Sequence, residues 1–299
     1  MKFIGHNTKG IIFVVLAYLS WGVLPIYWKQ LDTIPSLEIL AHRIIWSTVF
    51  TLSLGLFIKR GYIRKYFSDP KALLRLSITG ILLALNWGVY IYAINANHIV
   101  ECSLGYFINP LVSIVLGMVF LGEKLNKTQI TAFLFAVAGV AYLTINYGQF
   151  PWVAIILALS FGVYGLMKKQ MDYDSMSALA VETALIAPFA LVYLFFGASV
   201  AGVSLLTQPY PVVILLVLAG VITALPLYWF GLAAVKIPLY SIGFFQYISP
   251  TINLFIGIYI YREIFSSTHA IAFALIWIGL ALYIGDIIVR LRRQYKEVF

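Results

Sequence analysis

Ile108-Asn109-Pro110 and Ile248-Ser249-Pro250 decide the fold, because they are one place in the molecule written twice. A shift of 140 residues lays the first on the second without a gap, and the same register runs far in both directions. Upstream, Ser20-Trp21-Gly22-Val23 falls on Ser160-Phe161-Gly162-Val163, and Lys29-Gln30-Leu31-Asp32 on Lys169-Gln170-Met171-Asp172. Gly80 meets Gly220, and Ala84-Leu85 meets Ala224-Leu225. Downstream, Gly117 meets Gly257, Glu123 meets Glu263 and Gly139 meets Gly279. One ungapped register over this length marks an internal repeat, not a chance likeness of apolar helices.

Each copy is a series of apolar runs. Hydrophobic residues make up 62% of the 299 and charged residues 10%, against about 25% charged in soluble domains. So much apolar surface suits a bilayer, where lipid replaces a buried core. A helix needs about 20 apolar residues to cross the hydrocarbon. Spans are predicted near 10–28, 39–58, 72–95, 101–121, 128–146, 151–167, 176–197, 211–232, 237–260 and 268–289. The first run is too long for a signal-peptide core, lacks a small-x-small cleavage site after it, and has a partner in the second copy. It is therefore kept as a span.

Five spans per copy is an odd number, so the second copy enters the membrane from the opposite side. The expected fold is an all-α membrane protein of ten transmembrane helices in two inverted five-helix repeats, 10–147 and 150–289, followed by a basic tail at 290–299. Inverted repeats let a transporter exchange the conformations of its halves and so its open side. The basic residues orient the bundle. With the N-terminus in the cytoplasm, only Lys29, Arg43 and Arg262 of the 20 lysines and arginines fall on the outer side. Both termini are thus expected to be cytoplasmic. The net charge of +9 follows from this loop asymmetry, and no nucleic-acid partner is expected.

The end of the first copy, Leu121-Gly122-Glu123-Lys124-Leu125 with Gln129 and Ala138-Gly139-Val140, resembles the end of an EamA domain, the five-helix unit of the drug/metabolite transporter superfamily. The second copy departs from it with Tyr261-Arg262-Glu263-Ile264. More narrowly, the chain resembles RarD-type permeases. The resemblance lies in Ser20-Trp21-Gly22, His42-Arg43 with Trp46, Asn86-Trp87, the run Ser103 to Leu111, and Gly243-Phe244-Phe245-Gln246-Tyr247-Ile248. It implies ten helices, inner-membrane placement and a transport role, and no particular substrate, because such permeases handle varied amino-acid-like and drug-like solutes. It also implies a cavity between the first, third, fourth, sixth, eighth and ninth spans.

The residues themselves point to the same region. Tyr106, Asn109 and Ser113 are spaced i, i+3, i+7 and share a helix face. Their repeat partners are Gln246, Ser249 and Asn253. Unpaired polar groups are costly in hydrocarbon, so both stripes should face the bundle interior, as cavity lining or as interhelical hydrogen bonds. Pro110 and Pro250 each free a carbonyl one turn earlier, as paired mid-span breaks at a transport site would. Asn86, Trp87 and Tyr90 lie deep in the third span. Trp21, Ser160 and Tyr164 occupy the related first and sixth spans, and Tyr247 lies beside Gln246. Aromatic walls with a few polar groups suit an amphipathic solute and offer cation–π contact to an ammonium.

Charges within spans are functional candidates by default. Arg43, beside His42, starts the second span on the same side as Glu101, a geometry open to an ion pair. Glu182 sits about two turns into the seventh span, in register with His42, and is the best carboxylate for proton coupling. Asp286 is expected at the interface. Glu123 and Glu263 sit at turns between spans.

Other chemistries find little support. Gly117 and Gly122 have P-loop spacing, but Glu123 interrupts the Gly-Lys pair and no Ser or Thr follows Lys124. His6, His42, His98 and His269 are scattered, and no HExxH occurs. Cys102 is the single cysteine, so no internal disulfide or cysteine metal site is expected. The reading is a secondary transporter of a small amphipathic metabolite or drug-like solute, in contact with membrane lipid and without cofactor or metal. An integral-membrane enzyme or a channel-like facilitator is the alternative.

Overall fold

The computed structural model describes residues 2–96, 98–171, 173–197, 208–262 and 266–298; Glu263 lies outside the described residues. The helices are α1 (Lys2–Lys29), α2 (Ser36–Ser68), α3 (Pro70–Asn95), α4 (Ile99–Leu121), α5 (Lys127–Tyr147), α6 (Trp152–Gln170), α7 (Ser175–Val192), α8 (Tyr210–Ala234), α9a (Leu239–Gln246), α9b (Ile248–Tyr259) and α10 (Ser267–Val298). A short π turn, Tyr193–Gly197, extends α7. The described residues hold ten stretches long and apolar enough to cross a membrane, α9a and α9b together making one. The region 290–299, expected as a tail, continues α10 as helix to Val298.

Local chemistry sets the helix ends. Prolines Pro35, Pro151, Pro209 and Pro238 stand just before α2, α6, α8 and α9a, where a missing N–H costs nothing. Asn126 opens α5 with a capping box: its carboxamide accepts from the Gln129 N–H at 2.8 Å, and Gln129 returns the bond at 3.1 Å. Gly122 ends α4 at φ 64, a left-handed conformation glycine adopts without strain. The Glu123 carboxylate accepts from the N–H groups of Leu239 and Tyr240 at 2.7 and 2.9 Å, capping the positive end of α9a.

The repeat seen in the sequence is also a symmetry of the packing. A Cβ on Gly22 would meet Ile252 at 2.8 Å, and one on Gly162 would meet Val112 at 2.6 Å. These are the same contact with the halves exchanged. Likewise Gly139 abuts the Ala272 carbonyl and Gly279 the Ala132 carbonyl, at 2.8 and 2.6 Å. The helix pairings exchange too: α4 packs on α6 as α9b on α1, and α3 on α6 as α8 on α1. Pairs that map onto themselves, α2 with α7 and α5 with α10, touch directly.

The symmetry breaks at the prolines. Paired breaks were expected, yet α4 runs as continuous helix through Pro110, and only the ninth span divides, at Tyr247. There the Tyr247 N–H reaches back to Phe244 at 3.3 Å, a tighter turn than the α-helix. Gly243 lets α9a lie against α4 at this point, since a Cβ would sit 2.7 Å from the Pro110 carbonyl.

Candidate functional site

A cavity of about 170 Å³ lies where the two halves meet. Its walls come from α1, α3, α4, α6, α8 and α9, with one further residue from α2. α1 presents Tyr18, Trp21, Pro25 and Trp28 at helical spacing. α3 contributes Asn86, Trp87 and Tyr90; α4 contributes Tyr106 and Asn109; α9 contributes Gln246, Ser249, Pro250 and Asn253. Phe161, Thr223 and Leu227 complete the surround, and Arg43 enters from α2. Most of these positions lie in the half of their helix away from the end that holds both termini. The cavity thus reaches from the middle of the bundle toward the opposite end.

Both prolines matter here. Pro110 cannot donate to the Tyr106 carbonyl, nor Pro250 to the Gln246 carbonyl. The two residues whose carbonyls are released both line the cavity. Among the described residues, the Asn109 Oδ1, Asn253 Oδ1 and Tyr18 hydroxyl are buried without a hydrogen-bond partner. Such groups are costly when left unmet.

Four of the sequence candidates stand behind the wall instead of on it. Ser113 donates to the Gln246 Oε1 at 3.3 Å, and the Asn86 Nδ2 donates to the Ser160 hydroxyl at 2.9 Å. These serines orient the amides that do reach the cavity. Tyr247 is fully buried and donates to the Phe107 carbonyl at 3.3 Å. Tyr164, also fully buried, stacks on Phe230 and reaches Glu182.

The charges arrange themselves differently from the sequence reading. Glu101 does not pair with Arg43. It takes His98 at 2.7 Å, the Tyr147 hydroxyl at 3.0 Å and the Val153 N–H at 3.1 Å, tying the starts of α4 and α6 to the end of α5. Arg43 instead donates from Nε to the Thr223 hydroxyl at 3.1 Å. Its guanidinium lies 4.7 Å from the Trp28 ring centre and 5.1 Å from that of Trp87. The ring faces offered to a solute ammonium are, at these two residues, already occupied by the protein's own cation.

His42 faces Glu38 at 3.9 Å, both buried and off the cavity wall. Glu182 is completely buried, as its place in the span suggests, but it has company. Lys168 lies 3.0 Å away, and the Thr79 hydroxyl donates to it at 2.7 Å. Lys169 turns inward as well, donating to the Ala234 and Ile237 carbonyls at 3.1 and 2.7 Å. Both lysines look like loop charges in sequence; in the structure they close the end of the bundle nearer the termini. Above them Trp21, Phe161, Tyr164 and Phe230 pack ring against ring into a floor, with centroids 5.3–5.9 Å apart along the chain of rings. Asp286 accepts from Asn126 and Gln129, both at 2.9 Å, and pairs with Arg290.

Residues 8–145 match the model of the EamA-like transporter family. A Bacillus subtilis (strain 168) protein called "Uncharacterized transporter YojE" is 45% identical over 93% of this chain and 94% of its own length. The chain belongs to the EamA-like transporter family. "Protein RarD" of Escherichia coli (strain K12) is 37% identical over 97% of this EamA-like transporter and 99% of its own length. A solved structure titled "Crystal structure of protein" superposes at TM-score 0.70 with 18% identity, covering 92% of this chain and 97% of that one. It shares the fold.

Sequence reasoning did not find Tyr18, Trp28, Phe161 or Thr223 as wall residues of this EamA-like transporter. Tyr18 and Trp28 fall on the Trp21 face at i−3 and i+7, so the spacing rule that found the α4 stripe would also have found them.

Proposed function

We propose that this chain is a secondary transporter that carries a small amphipathic solute across the inner membrane by alternating access. The cavity between the halves is its solute site. One observation carries the reading: an aromatic-walled cavity at the repeat interface into which unpartnered amide and hydroxyl groups converge. Asn109 and Gln246 hold the polar end of the solute, while Trp21, Trp87 and Tyr106 form the apolar walls. The aromatic floor and the Lys168–Glu182 pair close the side nearer the termini, so this conformation is the one open to the other side. A channel would need a path through that floor.

The test is solute uptake by purified protein in liposomes, screened against a metabolite pool with and without a pH gradient. Asn109→Ala and Gln246→Ala should each weaken solute affinity about two- to tenfold, roughly 0.5–1.5 kcal/mol for one hydrogen bond, in protein that still inserts and folds. Lower thermal stability with unchanged affinity would make these amides helix-packing groups instead. Proton coupling through Glu182 belongs to the same proposal, and it requires the carboxylate to release Lys168 during the cycle. Unchanged pH-driven accumulation in Glu182→Gln would remove that role.

The orientation is proposed from the basic loops. Reporter fusions after Lys124, Lys169 and Phe299 should read cytoplasmic, and those near Asn97 and Gly148 external. An external signal at Phe299 would reverse the assignment.

A further inference from the structure

Among the described residues, Arg43 is the one charged residue on the cavity wall. Among the described residues no carboxylate pairs with it: Glu38 faces His42, Glu101 holds His98, and Glu182 holds Lys168. Its Nε is bonded to Thr223, which leaves the four N–H donors of its two terminal nitrogens. Trp28 and Trp87 flank the guanidinium and fix its plane. A cation within a membrane bundle with no counter-charge is costly, and a planar guanidinium matches a planar oxyanion through two parallel hydrogen bonds.

We propose that the cavity selects solutes bearing a carboxylate, which docks on Arg43 between Trp28 and Trp87. The proposal rests on the reading of this cavity as the solute site. The apolar remainder of the solute lies along Trp21, Phe161 and Leu227, away from the charge. A solute with only a cationic group is disfavoured, because the guanidinium already occupies the ring faces that would attract it. The solute is then an organic acid with an apolar body, and it brings the counter-charge that none of the described carboxylates supplies.

Matched acids and amides separate charge from shape. The full chain in lipid nanodiscs is titrated with hexanoate against hexanamide and phenylacetate against phenylacetamide. Chloride serves as an inorganic anion, and binding is read by calorimetry. In the wild type the acids should bind roughly tenfold to a hundredfold more tightly than the amides, as loss of a charge-assisted hydrogen bond implies. Arg43→Gln should bring the ratio to about one, with acid affinity falling much further than amide affinity. Arg43→Lys, which keeps the charge but not the fork, should keep a smaller preference and guards against a Gln variant that does not fold.

Amides equal to acids in the wild type, or a preference that survives Arg43→Gln, would overturn the carboxylate assignment and leave the solute cavity standing. Chloride displacing hexanoate at similar affinity would overturn it in favour of an inorganic-anion site. Failure of both acids and both amides to bind the folded wild type would overturn the cavity reading together with the carboxylate.

Discussion

Lys168→Met should lower the unfolding free energy of the purified transporter by about 3–5 kcal/mol, the usual cost of removing one partner from a buried ion pair. Glu182 is wholly buried and Lys168 nearly so. Their 3.0 Å contact is supplemented by Thr79 on the same carboxylate oxygen. Taking away the ammonium leaves a carboxylate in the interior with only hydroxyl partners. The double variant Lys168→Met/Glu182→Leu should recover most of the loss, because two apolar side chains of similar size carry no desolvation cost. The measurement is thermal unfolding of detergent-purified protein followed by loss of monodisperse material. A single variant as stable as the wild type would mean that the pair opens without consequence.

The second large effect is steric. A Cβ on Gly220 would stand 2.2 Å from the Trp46 carbonyl carbon and 2.5 Å from the Ser47 nitrogen. These are backbone atoms, which no change of rotamer can move aside. The Ser47 hydroxyl also donates to the Gly220 carbonyl at 2.9 Å, clamping α2 and α8 together. Gly220→Val should therefore cost about 3 kcal/mol or more, the upper end for overpacking a tight core, and separate the two helices. Gly61→Ala is the control. Its Cβ would meet nothing within 4 Å, and alanine in an exposed helix should stabilise by up to about 1 kcal/mol. Equal behaviour of the two variants would remove close helix contact as the reason for the glycine.

The spans were legible because bilayer thickness dictates length and lipid dictates composition, which leave a plain mark in apolar runs. The exchange of the halves was legible because it preserves register residue by residue, as Gly139 with Ala272 and Gly279 with Ala132 show. Polar stripes told which faces turn inward, since hydrocarbon penalises the other choice. They did not tell whether an inward group meets open space or a neighbour. Ser113 sits one turn beyond Asn109 on the same face, yet it ends on Gln246. That difference depends on how two helices are rotated against each other, which spacing within one helix does not encode. Lys168 was hidden for another reason. Beside Lys169 at a span end it has the composition of a loop charge, and only the position of Glu182 on a different helix draws it inward.

The continuous α4 and the divided ninth span have a consequence of their own. An object built on a two-fold axis but interrupted on one side only has a twin, interrupted on the other side, with the same contacts in exchanged hands. In the proposed cycle the twin is the conformer open to the opposite face. The energy separating the twins comes only from positions where the halves differ, because every matched contact cancels. Tyr106 against Gln246 and Asn109 against Ser249 are such positions, and all four line the cavity. The resting side of the molecule is thus set by the positions at which the two halves differ, and exchanging the cavity-lining ones across the axis should tip it.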